Sequence, residues 1–144
     1  MARLLRRVGG TLVLDAEGLV KLASGDPPAR SHFEAARRRN GRIITAASTL
    51  SEVLRGGPRD ARLHRVLGRM TVIPIDMQQG REAGELLGRT GLSGHRCALD
   101  ALLAVVALAQ PRPTVLLTSD PTELARLTEE PGLPRARRIE VVRV

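Results

Sequence analysis

The chain has 144 residues, enough for one domain with a buried core, and 42% of them are apolar, as in soluble globular proteins. Phe33 is its only aromatic residue, which argues against nucleic-acid modules that stack single-stranded bases on aromatic side chains. The formal charge of +8 favours a polyanion such as RNA or DNA as partner. Almost all basic residues are arginine, however, and a GC-rich coding bias explains the excess equally well.

Cysteine usage and hydropathy indicate the compartment. Cys97 is the only cysteine, so no intramolecular disulfide is possible and a reducing cytoplasm fits. The three histidines show no zinc-ligand spacing. Residues 1–8 are basic but lack the apolar segment of a signal peptide, and the apolar run over residues 98–109 is too short to cross a bilayer. We therefore expect a soluble, cytoplasmic protein.

Apolar strands and helices alternate from the start of the chain. Thr11–Leu14 is short, apolar and partly β-branched, which predicts a buried strand. Residues 17–24 predict a short helix that ends at the breaker sequence over residues 25–28. Residues 30–40 predict a second helix, with Gly41 placed to cap its C-terminus.

The alternation continues to the end of the chain. A strand over residues 42–45 leads into a helix through Arg55, and residues 59–69 predict a helix with an apolar stripe and arginines opposite it. Asp76 is placed to cap a helix that runs to about residue 89, and Pro121 opens another at a position suited to proline. The other predicted elements are strands over residues 71–75, 115–117 and 139–142 and a long helix over about residues 96–110.

This order of elements predicts the fold class. Strands separated by one or two helices form a parallel sheet covered on both faces. The chain shows no internal repeat and no linker. We therefore predict a single three-layer α/β domain over residues 1–144, with a central parallel sheet of about five strands flanked by helices.

Two carboxylates stand at the ends of predicted strands. Asp15 follows the first strand, and Asp120 follows the strand near residues 115–117. Since residues just past the carboxyl ends of parallel strands converge on one edge of the sheet, these two side chains are expected to meet there. Each also stands where it would simply cap the next helix, and that interpretation stays open.

Two further carboxylates lie in predicted helices. Glu52 has capping-box spacing from Thr49 and lies three residues before Arg55, so a cap or a surface ion pair competes with a functional role. Asp100 interrupts an apolar helix, where a carboxylate without partners costs several kcal/mol to bury. Its competing interpretation is an ion pair with Arg96 at the helix surface.

The joint placement of the four acids indicates their chemistry. Carboxylates about 4–6 Å apart repel one another by about 4 kcal/mol per close pair, and protonation or a bound cation relieves that repulsion. Hard oxygen ligands select Mg²⁺ or Mn²⁺. Such ions activate water and stabilise the leaving oxygen in phosphodiester hydrolysis, without a histidine or lysine base.

Four stretches, in this order and spacing, resemble the PIN domains, in particular the VapC-like toxins of bacterial toxin–antitoxin pairs. The stretches are LVLDAEGLVKL (residues 12–22), TAASTLSEVLRGGPR (45–59), ALDALLAVVAL (98–108) and VLLTSDPTEL (115–124). The resemblance covers essentially the whole chain. It implies a metal-dependent endoribonuclease on a PIN fold, with Mg²⁺ or Mn²⁺ in an acidic pocket at the carboxyl edge of the sheet.

The resemblance also implies site residues and partners. The family's acids fall on Asp15, Glu52, Asp100 and Asp120, with the three aspartates as metal ligands and Glu52 as a ligand directly or through water. RNA is the implied substrate, and a homodimer and a cognate antitoxin are the implied protein partners. Two positions depart from the family pattern: Glu17 stands where members often have Ser or Thr, and residues 94–97 lack the acid that many members carry there.

Other functions remain as alternatives. A catalytically inactive PIN-like module that binds or scaffolds a partner would tolerate an incomplete metal site. A response-regulator receiver also gathers acids at a sheet edge, but it depends on a lysine after a late strand, and Lys21 is the only lysine.

Two arginine clusters fit either an RNA path or a solvated helix end. Residues 37–39 with Arg42 form the first, and Arg135, Arg137 and Arg138 form the second.

Overall fold

The computed structural model describes residues 9–144, which form a five-stranded, fully parallel sheet in the order β3-β2-β1-β4-β5. Residues 1–8, interpreted above as lacking a signal peptide, lie outside this range. The strands are β1 (Thr11–Leu14), β2 (Arg42–Ala46), β3 (Thr71–Ile73), β4 (Thr114–Thr118) and β5 (Glu140–Arg143). The predicted α/β class with a covered parallel sheet is confirmed.

Helices connect every pair of strands that are consecutive in sequence, as parallel pairing requires. Their order along the chain is α1 (Ala16–Ser24), α2 (Pro27–Arg38), α3 (Leu50–Val53), α4 (Ala61–Leu67), α5 (Met77–Thr90), α6 (Gly94–Leu108) and α7 (Pro121–Leu127). Short 3-10 turns at Ala47–Thr49 and Pro58–Asp60 flank α3, and a third lies at Arg135–Arg137.

The core lies on both faces of the sheet, because successive side chains of each strand point to opposite faces. Leu12 and Leu14 of β1 pack against α1 and α2, where Phe33 is buried. Val13, between them, packs on the other face against α6, with Leu103 as its partner. Burial of each such leucine contributes about 1.5–3 kcal/mol, so β1 is held firmly in the middle of the sheet.

Three local predictions differ from the structure. The breaker over residues 25–28 is not a loop: Asp26 accepts a hydrogen bond from the Ala29 amide at 3.1 Å, and α2 begins at Pro27, since a proline lacks the amide that the first turn leaves unpaired. Asn40, with φ of 54°, takes the left-handed conformation expected of Gly41. β3 ends at Ile73 because Pro74 has no amide to continue the ladder.

Among the described residues, no helix alone is long and apolar enough to cross a membrane. The pair α5 and α6 passes the length and hydropathy criteria when its two helices are taken together, but the pair is bent by 119°.

Candidate acidic site

Asp15 lies at the carboxyl end of β1, next to the end of β4. Its amide donates a hydrogen bond to the Leu117 carbonyl at 3.2 Å, which extends the pairing of Leu14 with Leu117 by one residue. Its Oδ1 accepts from the Gly18 amide at 2.7 Å, and the nearby Thr118 side chain also favours the charged form of the carboxyl. Burial nevertheless raises the pKa of Asp15 above its ordinary value. The predicted helix cap is therefore real, and it orients a buried carboxylate.

The orientation of the Asp15 carboxylate depends on a glycine in α1. A Cβ at position 18 would lie 2.8 Å from the Leu117 carbonyl oxygen and 3.4 Å from Asp15 Oδ1. Glycine lets the first turn of α1 approach β4 closely enough for the Gly18 amide to reach Asp15. This close approach fixes where the carboxylate points.

Asp100 lies in α6, partly buried on a helix that is otherwise almost entirely apolar. Burial, followed by the charges of Asp15, Glu123 and Asp120, raises its pKa from the ordinary 3.8 to about 6. The ion pair with Arg96 that would have held it at the surface does not form: among the described residues, Arg96 pairs instead with Glu123, at 3.9 Å. Asp100 therefore faces other acids rather than a cation.

Glu52 lies in the short helix α3 and is exposed. Burial of part of its surface, with the charges of Asp100, Asp15 and Glu17, raises the pKa of Glu52. Both competing interpretations are wrong: Thr49 makes no capping hydrogen bond, and Arg55 donates to backbone carbonyls, including that of Glu52 at 3.1 Å, rather than to its carboxylate. The predicted helix through Arg55 is also shorter than expected, because a 3-10 turn precedes α3.

A buried carboxylate that the sequence reasoning missed holds the loop after α3. Asp60 Oδ2 accepts from the amides of Arg55 at 2.9 Å and Gly56 at 2.6 Å. These bonds, the Gly56 amide first, lower the pKa of Asp60, so this acid stays ionised. Because Arg55 follows α3 by two residues, Asp60 fixes the C-terminal end of the segment that carries Glu52.

Asp120 and Glu123 complete the set at the start of α7. Asp120 is exposed and caps α7 through the Thr122 amide at 3.3 Å, while its own amide donates to the Thr118 hydroxyl at 3.1 Å. Glu123, which the sequence reasoning missed, lies close enough for its charge to raise the pKa of Asp100. Its signal was its position three residues after Asp120 at a helix start, which places both acids on neighbouring turns.

The four predicted acids thus lie close enough for their charges to interact, and Glu17 and Glu123 lie beside them. Glu17 is exposed, and its charge raises the pKa values of Asp15 and Glu52. Within residues 9–144, Arg96 is the one basic residue in ion-pair distance of any of these acids, through Glu123. The negative charge is therefore nearly uncompensated.

No group of three or more His, Cys, Asp or Glu side chains in the described part of the chain is arranged to hold a metal ion directly. The donors nevertheless fit a hard cation, since all are carboxylates and their mutual repulsion is relieved by one. Mg²⁺ commonly binds through one or two carboxylates and keeps several water molecules, so three preformed ligands are not required.

Three solved structures have a fold similar to that of this chain. A chain of VapBC2 from Rickettsia felis, solved bound to a DNA fragment from their promoter, matches with a TM-score of 0.65 and 19% identity over 92% of this chain and 98% of that one. DNA-bound VapBC from Salmonella typhimurium gives 0.62 and 22% over 91% and 97%. VapBC-1 from nontypeable Haemophilus influenzae gives 0.62 and 18% over 92% and 97%.

A search among curated proteins finds no significant relative. The family model for the PIN domain matches residues 12–130, which include all six acids of the site. This match spans most of the chain, and the protein therefore belongs to the PIN domain family.

Proposed function

We propose that the protein is a metal-dependent endoribonuclease that hydrolyses RNA phosphodiester bonds at the acidic site, as the toxin of a toxin–antitoxin pair. The observation that supports the proposal most strongly is the position of Asp100. A carboxylate in an apolar helix, surrounded by acids and without a basic partner among the described residues, is unfavourable for folding alone. A site that receives a cation explains that arrangement.

The residues of this chain would hold Mg²⁺ or Mn²⁺ between the sheet edge and α6. Asp15, Asp100 and Asp120 are the proposed ligands, and Glu52 is a ligand directly or through water. When bound, the ion supplies Lewis-acid chemistry: it polarises the phosphodiester and lowers the pKa of water. The Gly18 amide orients Asp15, and the Asp60 carboxylate fixes the loop that follows Glu52. These contacts preorganise the site on rigid elements.

We propose two protein partners, a cognate antitoxin and a second copy of this chain. The support for the antitoxin is that all three similar structures described above are VapBC assemblies, two of them solved with DNA. An antitoxin would also account for how a cytoplasmic ribonuclease is kept from the cell's own RNA. Co-expression with the neighbouring small reading frame, followed by co-purification, tests this part.

The nuclease proposal is tested with Asp15→Asn. Asparagine caps helices as well as aspartate does, so the variant keeps the bond from Gly18 and removes only the charge. Asp26→Asn is the matched control, because Asp26 caps α2 through the Ala29 amide and lies outside the acidic site. We expect Asp15→Asn to abolish RNA cleavage in Mn²⁺ and growth inhibition, and Asp26→Asn to retain both. Retention of both by Asp15→Asn would refute the site.

A second function is favoured by one observation, the lack of a preformed three-ligand group in the described residues. A catalytically inactive PIN-like module would bind a partner and no metal. Calorimetric titration with Mn²⁺ separates the two: the nuclease gives a saturable heat that Asp100→Asn removes, and the inactive module gives none.

A further inference from the structure

Arg96 is, within residues 9–144, the one basic side chain in ion-pair distance of the acidic site. It lies in the first turn of α6, four residues before Asp100, so both side chains leave the same face of the helix. Its guanidinium is 3.9 Å from a carboxylate oxygen of Glu123. Arg96 therefore lies at the border of the site, beside one of the acids whose charge raises the pKa of Asp100.

The ion pair with Glu123 does not account for the presence of Arg96. The distance of 3.9 Å is long for a direct contact, and the Arg96 side chain is 77% exposed. A pair so open contributes little to stability, because water screens both charges. Among the described residues the guanidinium makes no hydrogen bond, so its five N–H donors are available to a ligand.

The position of Arg96 is also unfavourable for α6 itself. The first turn of this helix carries no acid, and the side chain of Ser93 does not cap it. The helix dipole favours acids at this end, so a cation there weakens the helix. Neither the ion pair nor the helix explains an arginine at this position, whereas an anionic ligand does.

The acids restrict which anion can approach Arg96. Glu123 lies beside it, and Asp100 is surrounded by further carboxylates. This negative charge repels a free anion such as the carboxylate of another protein. The phosphodiester of RNA differs, because on the proposed function its phosphate lies at the cation held by the acids. A guanidinium suits that phosphate, since its planar fork makes paired hydrogen bonds.

We propose that Arg96 binds a phosphate of the RNA substrate at the acidic site. This inference rests on the proposed ribonuclease function and adds a substrate contact to it. When RNA binds, the guanidinium exchanges Glu123 for a phosphate oxygen. Residues 94–97, which lack the acid that many PIN domains carry there, thus supply a cation for the substrate in the same turn of the helix.

The first measurement is cleavage of a fluorescent single-stranded oligoribonucleotide in Mn²⁺ by the purified full-length protein. Arg96→Gln is compared with Arg38→Gln, which removes the same charge from an exposed arginine at the end of α2, near the amino edge of the sheet. Arg96→Gln should lower kcat/KM about 10- to 100-fold, as expected for one hydrogen bond to a charged group. Arg38→Gln should leave kcat/KM unchanged. Arg96→Lys should recover part of the loss, because lysine keeps the charge without the fork.

The second measurement is RNA binding, which does not depend on the chemical step. It is made in Ca²⁺, another cation that prefers oxygen ligands, and gel electrophoresis verifies that the RNA stays intact. Loss of one phosphate contact should lower the slope of log K against log salt by about 0.7 for a single strand. We expect this change for Arg96→Gln and not for Arg38→Gln. A merely structural role of Arg96 would leave the slope unchanged.

A double-mutant cycle separates a contact to RNA from an effect that passes through Glu123. If Arg96 binds the phosphate, Arg96→Gln should cost at least as much RNA affinity in the Glu123→Gln background as in the wild type. If Arg96 serves only to neutralise Glu123, the effect of Arg96→Gln should disappear in that background.

Three outcomes would overturn the proposal. They are equal behaviour of Arg96→Gln and the wild type, equal losses in Arg96→Gln and Arg38→Gln, and disappearance of the loss in the Glu123→Gln background. The ribonuclease proposal is judged separately, by the wild-type protein in Mn²⁺. Cleavage that Arg96→Gln leaves unchanged refutes the arginine contact alone. Absence of cleavage by the wild type refutes the nuclease, and the binding slope in Ca²⁺ then decides whether Arg96 contacts RNA.

Discussion

Asp100→Asn should stabilise the metal-free protein while abolishing its metal binding. In the folded chain, burial and the charges of Asp15, Glu123 and Asp120 hold the pKa of Asp100 at about 6, against 3.8 ordinarily. At about 1.36 kcal/mol for each pKa unit, ionised Asp100 lowers the free energy of unfolding by at most about 3 kcal/mol. Asparagine has nearly the same shape and carries no charge, so it removes that destabilisation.

The pH dependence gives the sign of the effect. Because the folded-state pKa lies above the unfolded one, the protonated carboxyl contributes stability that is fully present below pH 3.8 and is lost as the pH rises through about 6. Above that pH the wild-type protein carries the full destabilisation. The advantage of Asp100→Asn should therefore be largest at pH 7.5, and it should be much smaller near pH 4.

The assay is thermal unfolding in EDTA at both pH values, followed by a titration with Mn²⁺ at pH 7.5. For a chain of this size, each kcal/mol shifts Tm by about 3 °C, so the variant should melt up to about 10 °C above wild type at pH 7.5. Mn²⁺ should then raise the Tm of the wild type alone, since a ligand stabilises only the folded state that binds it. A variant that is equally destabilised at both pH values would refute the reasoning, because Asp100 would then be a structural residue.

Three further predictions concern the neighbours of the site. Gly18→Ala should lower the free energy of unfolding in urea by about 1–3 kcal/mol, because the added Cβ would lie 2.8 Å from the Leu117 carbonyl oxygen. The control Gly80→Ala, whose Cβ would have no atom within 4 Å, should raise it by up to about 1 kcal/mol. Equal effects of the two substitutions would contradict the close approach of α1 to β4. Asp60→Ala should lower the rate of RNA cleavage about 10-fold. Asp60→Asn should keep most of the wild-type rate, because its amide oxygen can accept both backbone hydrogen bonds that Oδ2 accepts. If Asp60→Asn is as slow as Asp60→Ala, the charge of Asp60 matters rather than its hydrogen bonds. Glu123→Gln should lower the pKa of Asp100 toward its ordinary value in an NMR titration, and an unchanged pKa would show that the two carboxyls do not interact.

The strand ends could be predicted from the sequence because they depend on local pattern. Short apolar runs separated by helices indicate a parallel sheet, and its carboxyl edge collects the residues that follow β1 and β4. Asp100 was identifiable for a related reason, since a carboxylate in an apolar helix conflicts with simple burial. These inferences needed no knowledge of how distant segments pack.

The contributions of Glu123 and Asp60 depend on packing that no local pattern reveals. Glu123 reaches Asp100 because α7 lies beside α6, and it also takes Arg96 away from Asp100. Asp60 is buried only because a 3-10 turn folds it under the preceding loop. The start of α2 was placed too late for a simpler reason: a proline pair was interpreted as a break rather than as a first helical turn.

The central position of β1 has a consequence for how the protein is made. β1 leaves the ribosome first, yet its partner β4 begins about a hundred residues later, with Thr11 paired to Thr114. Domains fold as units during synthesis, and such distant pairings form slowly. Asp15 therefore cannot meet Asp120 until β4 has emerged. On the proposed function, a chain truncated before β4 should therefore cleave no RNA, because the acids that follow β1 and β4 would never come together.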